Sequence, residues 1–250
     1  MNTTILMAAL GVAATLAMTS AAQAALQGRD LDGNLSTFEA YYDTVLDITW
    51  LANANLGAGS SYDDGNSTTD GRMTWDSANA WAANLSFYNP ATNKTLANWR
   101  LPNVEPVNGD SFNYTYANDG STDWGYNITS PDNEMAYMYY VNLGNPGYYT
   151  PAGAVSGCYE NNSNTCLDNT GPFSNLQPDV YWSGSEYAPD SSGAWHFYMI
   201  SGNQSAGKRD SGNYAWAVSP GDVAAVPEAE TYALMLAGLG LVGWRARRRQ

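Results

Sequence analysis

The sequence is poor in basic residues, histidine and cysteine, and each shortage argues against a class of function. It has 10 Lys and Arg against 24 Asp and Glu, with one His and two Cys in 250 residues. So acidic a chain repels the phosphates of nucleic acids and anionic lipids, so we expect no nucleic-acid partner. A zinc site or a His-assisted nucleophile would have to use His196, and both are disfavoured. Neutral or cationic ligands are favoured instead.

The two cysteines, Cys158 and Cys166, lie close together in a segment rich in Asn, Ser and Thr. In an oxidising compartment the simplest interpretation is one local disulfide. Their spacing is not that of a CxxC redox pair. The sequence therefore predicts a structural crosslink.

The chain also has no apolar run of about 20 residues, the length that a stable membrane span needs. Its first apolar run, residues 5–18, is followed by Ala22-Gln23-Ala24, which is typical of a signal-peptidase site. This predicts a secretory signal peptide over residues 1–24, although no Lys or Arg precedes Ile5. Its second apolar run, residues 231–244, has 14 residues.

The C-terminal segment, residues 226–250, has a short acidic start, the apolar run 231–244 and a basic end. Pro227 and Glu228 lie in the start, and the basic end contains Arg245, Arg247, Arg248 and Arg249. Because basic residues beside a span stay on the cytoplasmic side, the rest of the chain would face outward.

This layout resembles the PEP-CTERM sorting signal of exopolysaccharide-producing Gram-negative bacteria. In that family an intramembrane exosortase cuts near a Pro-Glu-Pro motif and releases or transfers the protein outside the inner membrane. Ala229 stands in place of the second proline. The resemblance implies an exosortase partner, a transient inner-membrane stage, and then a cell-surface or extracellular location. The alternative is an ordinary C-terminal anchor.

Residues 25–225 form the body of the protein, with a length that suits one domain with a real core. After the two terminal segments are excluded, 6 basic and 22 acidic residues remain, a net charge of −16. Such a charge could indicate disorder, but eight Trp and seventeen Tyr also remain in the body. So many aromatic residues favour a packed fold.

Hydrophobic periodicity in the body predicts short strands and two helices, an α+β fold. Leu46, Ile48 and Trp50 alternate with polar residues, as in a half-buried strand. Thr74 is a predicted N-cap for a helix over 75–85, and Ser130 with Pro131 opens a second helix that ends near residue 142. The later strands are 180–183, 194–200 and 213–218, with a hairpin turn at Gly202-Asn203 between the last two.

An oxygen-rich loop over residues 57–71 contains three carboxylates, Asp63, Asp64 and Asp70. Calcium favours such loops, although the order of residues does not match an EF-hand. The alternative is a solvated polar loop without a metal.

The segment Trp99-Arg100-Leu101-Pro102 places an arginine between apolar residues and ends in a proline that stops regular structure. In a body with six basic residues, we expect Arg100 to pair with a buried or half-buried carboxylate. A ligand role for Arg100 is the secondary interpretation.

Residues 103–129 are polar and aromatic with little periodicity, which predicts a long loop or insertion. Its aromatic residues Tyr114, Tyr116, Trp124 and Tyr126 are the candidate ligand-binding residues. Tyrosine and tryptophan suit sugars, because their rings cover C–H faces while their polar edges hydrogen-bond hydroxyls. For the other tryptophans, among them Trp99, Trp182 and Trp216, core packing is the stronger interpretation.

Several tryptophan motifs recur in a fixed order along the body. They are Thr74-Trp75, Asn79-Ala80-Trp81-Ala82, Trp99-Arg100-Leu101-Pro102, Tyr181-Trp182-Ser183, Glu186-Tyr187-Ala188, Ala194-Trp195, Lys208 and Tyr214-Ala215-Trp216-Ala217-Val218. The set resembles the Lcl C-terminal-like domain, over roughly residues 40–222. That family is similar to C-type-lectin-like and formylglycine-enzyme-like folds, with two helices and short, irregular antiparallel strands. Its namesake domain ends a collagen-like adhesin that binds polysaccharide.

The lectin comparison also points to Gln177-Pro178-Asp179, which matches a triplet by which some C-type lectins hold calcium and select galactose-type sugars. The companion Trp-Asn-Asp is absent. Gln177 and Asp179 are therefore candidate calcium ligands, with a chance triplet in a turn as the alternative.

Three classes of function remain. The first is an exported, non-catalytic module that binds a neutral polysaccharide or matrix component. The second is a glycoside hydrolase, because paired carboxylates suffice for that chemistry. The third is a structural matrix protein without a ligand. The aromatic insertion, the export signals and the family resemblance favour the first.

Overall fold

The computed structural model describes residues 26–160 and 164–223. This part of the chain consists mainly of short strands, with two short helices and many turns. It agrees with the α+β class that the sequence predicts. The predicted signal peptide, residues 1–24, and the predicted sorting segment, residues 226–250, lie outside the described residues.

The strands contain between two and seven residues. In chain order they are β1 (Leu26–Arg29), β2 (Ala40–Asp43), β3 (Ile48–Leu51), β4 (Arg72–Met73), β5 (Phe87–Asn89), β6 (Lys94–Leu96), β7 (Tyr116–Ala117), β8 (Trp124–Gly125), β9 (Val180–Glu186), β10 (Gly193–Tyr198), β11 (Asn203–Lys208), β12 (Asn213–Tyr214) and β13 (Val218–Pro220). The helices are α1 (Trp75–Asn84) and α2 (Glu134–Tyr137).

These strands form two larger sheets and one hairpin. The four-stranded sheet has the order β1-β2-β3-β13, and the seven-stranded sheet has the order β4-β12-β9-β10-β11-β8-β7. Among the described residues, β5 and β6 pair with each other and form a separate two-stranded sheet. Neighbours are antiparallel except for β12 with β9 and β7 with β8. A bridge between Arg100 and Val218 extends the outer side of β13.

One cluster of buried side chains joins both sheets and α1. At its centre the rings of Trp50 and Trp216 lie 4.6 Å apart between centroids, and both residues are fully buried. The indole N–H of Trp216 donates to the carbonyl of Leu51, and that of Trp182 donates to the carbonyl of Met73. These tryptophans fill the core and also tie strands together, because each N–H finds a backbone acceptor.

β3 is buried on both faces, whereas the sequence predicts a half-buried strand. The residue that breaks the expectation is Thr49, which is fully buried and donates through Oγ1 to the carbonyl of Gly221 at 2.8 Å. Leu46 precedes the strand, in a turn where Asp47 adopts a φ of 51°. Alternation of polar and apolar residues misled here because a hydroxyl with a backbone acceptor can be buried at low cost.

α1 forms where the sequence predicts the first helix. Thr74 is its N-cap, and Thr74 Oγ1 accepts a hydrogen bond from the backbone N–H of Ser77. Trp75, Ala78, Trp81 and Ala82 form the buried face. The helical spacing of these residues therefore reflects core packing.

α2 begins later than the sequence predicts, at Glu134 rather than after Ser130 and Pro131. The cause is Asn133, whose φ of −115° and ψ of 79° are not helical. Asn133 is held there by a β-bridge to Val104 and by its Nδ2, which donates to the carbonyl of Glu105 at 2.9 Å. The helix continues as a π-helical turn over Met138–Asn142, so its end agrees with the sequence.

The hairpin at Gly202 joins β10 to β11, a strand that the sequence analysis missed. The sequence predicts that residues 213–218 pair with β10. Instead, Asn213 and Tyr214 form β12, which pairs with β9, and Val218 begins β13, which belongs to the four-stranded sheet. β11 has the sequence Asn-Gln-Ser-Ala-Gly-Lys, which lacks the β-branched and aromatic residues that mark a strand. Its pairing with β10 comes from tertiary context.

An ion pair spans the four-stranded sheet. The guanidinium of Arg29, at the end of β1, contacts the carboxylate of Asp222 with N···O distances of 2.6 and 2.7 Å. Asp222 lies in the turn after β13, where the N–H of Gly221 donates to the carbonyl of Asp47 at 2.7 Å. The two outer strands of this sheet are therefore connected to each other.

Candidate functional site

The aromatic insertion, residues 103–129, is part of the seven-stranded sheet. It contributes β7 and β8 at one edge, and β8 pairs with β11 through Gly125 and Gln204. The prediction of a long loop was therefore incomplete. A position at a sheet edge gives the aromatic side chains of the insertion a fixed support.

A buried carboxylate holds the insertion in shape. Asp123 is fully buried, and its side chain accepts hydrogen bonds from the backbone N–H groups of Val107 at 2.7 Å and Asn113 at 2.6 Å. Its own carbonyl accepts from Nε2 of Gln204 at 2.9 Å. The negative charge is thus stabilised by backbone donors, and the loop on either side is closed around it.

Five rings from the insertion and the sheet form what we call the Trp195 cluster: Phe112, Tyr114, Trp124, Tyr187 and Trp195. Phe112 and Tyr114 both stack on Trp195, with centroid distances of 5.5 and 6.1 Å. Tyr187 and Trp124 meet Trp195 edge to face at 5.6 and 5.8 Å. Trp195 is fully buried on β10, so the exposed rings of this cluster rest on a rigid base.

A second set of rings, the tyrosine row, runs from the insertion to Tyr159, the residue after Cys158. Its members in order of contact are Tyr116, Tyr126, Tyr149, Tyr148 and Tyr159. Successive centroids lie 6.3, 5.3, 4.8 and 4.9 Å apart. The row is therefore continuous from the edge strand β7 to the residue after Cys158.

The four candidate aromatic residues are divided between these two sets. Tyr114 and Trp124 belong to the Trp195 cluster, while Tyr116 and Tyr126 begin the tyrosine row. Tyr114 is 37% and Tyr116 is 50% exposed, whereas Tyr126 is 9% exposed and supports its neighbours from below. Sequence analysis missed Phe112, although it lies in the insertion. It also missed Tyr187, Tyr148, Tyr149 and Tyr159, because only the tertiary fold brings their segments beside the insertion.

The insertion and the segments that supply the other aromatic residues contain no positively charged side chain. No Lys or Arg occurs between Arg100 and Lys208 in the sequence. Burial, with smaller contributions from Tyr187 and Asp123, raises the pKa of Tyr114. Burial also raises the pKa of Tyr126 to about 12. The phenol groups stay protonated at neutral pH and can both donate and accept hydrogen bonds.

The three carboxylates of the 57–71 loop are used separately. Asp63 is buried, and its Oδ2 accepts from the N–H groups of Gly59 and Gly71 at 2.9 and 2.8 Å. Asp64 accepts from Ser77 Oγ at 2.6 Å beside the start of α1, and Asp70 accepts from the N–H of Arg72. Among the residues that the structure describes, these three carboxylates do not form a compact metal-binding group.

Asp179 of the lectin-like triplet forms an ion pair with Arg72, which also lies over the ring of Tyr214 at 4.8 Å. The other candidate calcium ligand, Gln177, donates through Nε2 to the carbonyl of Asn175 at 3.0 Å. The carboxylate of the triplet thus already has a cationic partner on β4.

Within residues 26–160 and 164–223, one group of three acidic side chains has oxygens within 4.8 Å of one another: Asp30, Asp32 and Glu39. Asp30 Oδ1 accepts from the N–H groups of Asp32 and Gly33, and Glu39 Oε2 accepts from the N–H of Leu31. These hydrogen bonds account for the clustering as a turn after β1.

The carboxylate partner of Arg100 is Glu134, the first residue of α2. Both N···O distances are 2.7 Å, and Glu134 also accepts from the N–H of Asn103 at 2.7 Å. Trp99 and Pro102, on either side, are buried. The segment that the sequence marks as structural therefore connects α2 to β13, whose Val218 bridges to Arg100.

Cys158 and Cys166 are joined by a disulfide with a Cα–Cα distance of 4.9 Å. Cys166 is anchored to the end of β10, because its N–H donates to the carbonyl of Ile200 at 2.8 Å. Its carbonyl accepts from the hydroxyl of the buried Tyr139 at 2.9 Å. The crosslink thus attaches Cys158 to the backbone just after β10.

His196 is 6% exposed on β10 and lies between the rings of Trp182 and Tyr198, with centroid distances of 5.7 and 5.0 Å. Neither ring nitrogen has a hydrogen-bond partner among the described residues. Burial lowers the pKa of His196 to about 4, so the ring is neutral at physiological pH. Its surroundings are those of a core residue.

Comparison with known proteins identifies one segment of the chain. Residues 225–249 match the family model of the PEP-CTERM protein-sorting motif. No curated protein and no solved structure matches the chain. Within residues 26–160 and 164–223 no helix is long and apolar enough to cross a membrane, and the predicted short segment 231–244 lies outside that part. The match indicates a protein that an exosortase sorts to the cell surface or the extracellular space.

Proposed function

We propose that this protein is a non-catalytic module of the cell surface or exopolysaccharide matrix that binds a neutral glycan through its aromatic insertion. The observation that carries the proposal is the pair of exposed rings of Tyr114 and Tyr116, held at the edge of the seven-stranded sheet by buried aromatic residues. Rigid aromatic rings contribute apolar contact area at a low cost in conformational entropy.

The acidic character of the chain supports a neutral ligand. The body has a net charge of −16, and the insertion contains no Lys or Arg. An anionic polysaccharide would meet repulsion over most of this surface. Protonated phenols instead offer hydrogen bonds to sugar hydroxyls, and the exposed parts of the rings can cover C–H groups.

The remaining parts of the proposal concern export and fold. The signal peptide over residues 1–24 starts export, and the exosortase acts at Pro227-Glu228 after a transient stage in the inner membrane. The body, residues 25–225, is an Lcl C-terminal-like domain of C-type-lectin-like type, on the strength of its ordered tryptophan motifs. Calcium is not part of the proposal, because the two candidate calcium regions use their carboxylates for internal hydrogen bonds and an ion pair.

The test is retardation of the exported protein in native gels that contain a neutral galactomannan, dextran or, for contrast, the anionic polymer alginate. We expect retardation by a neutral polymer and loss of it in Tyr114→Ala. Tyr88→Ala is the matched control, because Tyr88 is 58% exposed on the separate β5–β6 hairpin.

The other outcomes contradict the proposed site or support a different function. Equal migration of Tyr114→Ala and the unmodified protein contradicts the proposed site. Absence of saturable binding to any polymer supports a structural matrix protein. Release of new reducing ends from the polymer supports a glycoside hydrolase.

A further inference from the structure

We infer that the tyrosine row extends the proposed glycan site, so that the protein takes an extended segment of a neutral polysaccharide chain rather than a single terminal sugar. This inference rests on the proposed function. It adds Tyr149, Tyr148 and Tyr159 to the binding surface, and it extends that surface as far as the residue after Cys158. None of these residues belongs to the insertion.

The first step is the position of Tyr114 relative to Tyr116. The two residues are separated by one residue, so their Cα atoms lie no more than about 7 Å apart. The ring of Tyr114 stacks on that of Trp195, while the ring of Tyr116 packs edge to face against that of Tyr126. Tyr114 thus belongs to the Trp195 cluster and the neighbouring Tyr116 begins the tyrosine row. A ligand bound at Tyr114 therefore lies close to the first ring of the row.

The second step is the shape of the row. Its centroid spacings of 4.8 to 6.3 Å are comparable with the length of one pyranose residue. Tyr116 is half exposed, and Tyr149, Tyr148 and Tyr159 are each partly exposed. A chain of sugars can therefore contact Tyr116, Tyr149, Tyr148 and Tyr159 in turn and pass over Tyr126, which is nearly buried.

The third step is that one amide fixes the insertion to the segment that carries Tyr148 and Tyr149. Nδ2 of Asn127 donates to the carbonyl of Asn118 at 2.6 Å and to that of Tyr149 at 2.8 Å. Asn127 itself has a φ of 59°, a left-handed conformation that asparagine tolerates better than most residues. The two halves of the surface are thus joined before any ligand arrives, which lowers the entropic cost of binding.

The fourth step is the support at the far end. Tyr159 follows Cys158, and the disulfide attaches this position to Cys166, which hydrogen-bonds the end of β10. Tyr148 is also held by the turn after β10, because its backbone N–H donates to the carbonyl of Ser201 at 2.8 Å. Burial, followed by the neighbouring Tyr148 phenol, raises the pKa of Tyr159. The row therefore ends on neutral phenols whose backbone is held by the disulfide and by the hydrogen bond to Ser201.

The experiment compares oligosaccharides of increasing length, from disaccharide to hexasaccharide, cut from the neutral polymer that retards the exported protein. Titration calorimetry measures their affinity for the unmodified protein, Tyr114→Ala, Tyr159→Ala and the control Tyr88→Ala. We expect affinity to rise with length in the unmodified protein. Tyr159→Ala should bind the hexasaccharide about three- to tenfold more weakly, as expected for one aromatic contact, and the disaccharide unchanged.

The outcomes separate this inference from the proposed function. Equal hexasaccharide affinity in Tyr159→Ala and the unmodified protein, with loss in Tyr114→Ala, would overturn the extended site and leave the proposed function standing. No effect in either variant, or no binding by any neutral polymer, would overturn both. If Tyr159→Ala does not fold, Tyr148→Ala is the substitute, because Tyr148 is a partly exposed member of the row that lies outside both the insertion and the disulfide.

Discussion

Arg100 and Glu134 form a bidentate ion pair that connects the segment after the β5–β6 hairpin to the start of α2. Both N···O distances are 2.7 Å, and the side chain of Glu134 is 11% exposed against 31% for Arg100. The carboxylate is the more buried partner, so it would suffer more from the loss of the pair.

Arg100→Met should destabilise the protein by about 3 kcal/mol, because Glu134 would be left buried with a single backbone donor, Asn103. Urea unfolding followed by tryptophan fluorescence measures the change. Lys94→Met, at an exposed basic residue of β6, is the control and should change stability little. A loss in Arg100→Met no larger than in this control would contradict a structural role for the pair.

Replacing both Cys158 and Cys166 by serine should leave the fold intact and cost about 2 to 3 kcal/mol, because the bridge closes a loop of only 8 residues of sequence separation. The exported protein should show no free thiol, and intact mass before and after reduction tests this. Two free thiols in freshly exported protein would show that the crosslink is not formed in the cell.

Mildly acidic pH should destabilise the protein through His196. Its pKa is about 4 in the folded protein and about 6.5 when unfolded, so between these values only the unfolded state binds the proton. Stability from this residue is complete above pH 6.5 and falls as pH decreases, by about 2 kcal/mol at pH 5. The free energy of unfolding should therefore fall between pH 7 and pH 5 by about 2 kcal/mol less in His196→Leu than in the unmodified protein. An unchanged pH dependence would assign the acid sensitivity to other groups.

Asp123→Asn should loosen the aromatic insertion. The carboxylate accepts from two backbone N–H groups, those of Val107 and Asn113, and an amide has one oxygen to replace its two. We expect a loss of about 1 to 3 kcal/mol and faster hydrogen exchange at these two amides. Asp110→Asn, an exposed change on the same insertion, is the control. Unaltered exchange in Asp123→Asn would mean that the insertion is held elsewhere.

Deleting residues 227–250 should release the body prematurely and leave its fold intact, because the described core ends at Val218. Replacing them with a span of about 20 apolar residues should retain the protein in the inner membrane. Fractionation of a producing strain measures both. If the body and the Arg245–Arg249 cluster remain one polypeptide in the inner membrane of unmodified cells, the segment is an anchor and not a cleaved signal.

Local chemistry made part of the fold predictable. The N-cap Thr74 and the spacing of Trp75, Ala78 and Trp81 determine α1 from its own sequence. The scarcity of basic residues correctly indicated that Arg100 has a carboxylate partner, although Glu134 could not be identified from sequence because 34 positions separate them. Interactions that a residue makes with its near neighbours are visible in sequence.

What the sequence did not predict depends on distant partners. β11 forms because β10 and β8 lie on its two sides, although its Gly and Ser residues have low strand propensity. The start of α2 is displaced by the bridge between Asn133 and Val104. In the candidate site, exposed Tyr114 and Tyr116 were predictable as aromatic residues of an insertion, but the rings of Tyr149, Tyr187 and Trp195 that complete their support come from distant segments.

The ion pair between Arg29 and Asp222 has a mechanical consequence. While residues 225–249 are held by an exosortase or a membrane, any pull on the chain enters the described domain at Val223, next to Asp222. Part of that load passes through Arg29 to β1, at the opposite edge of the four-stranded sheet from β13. The pull is therefore shared by both outer strands, and β13 resists being peeled away alone.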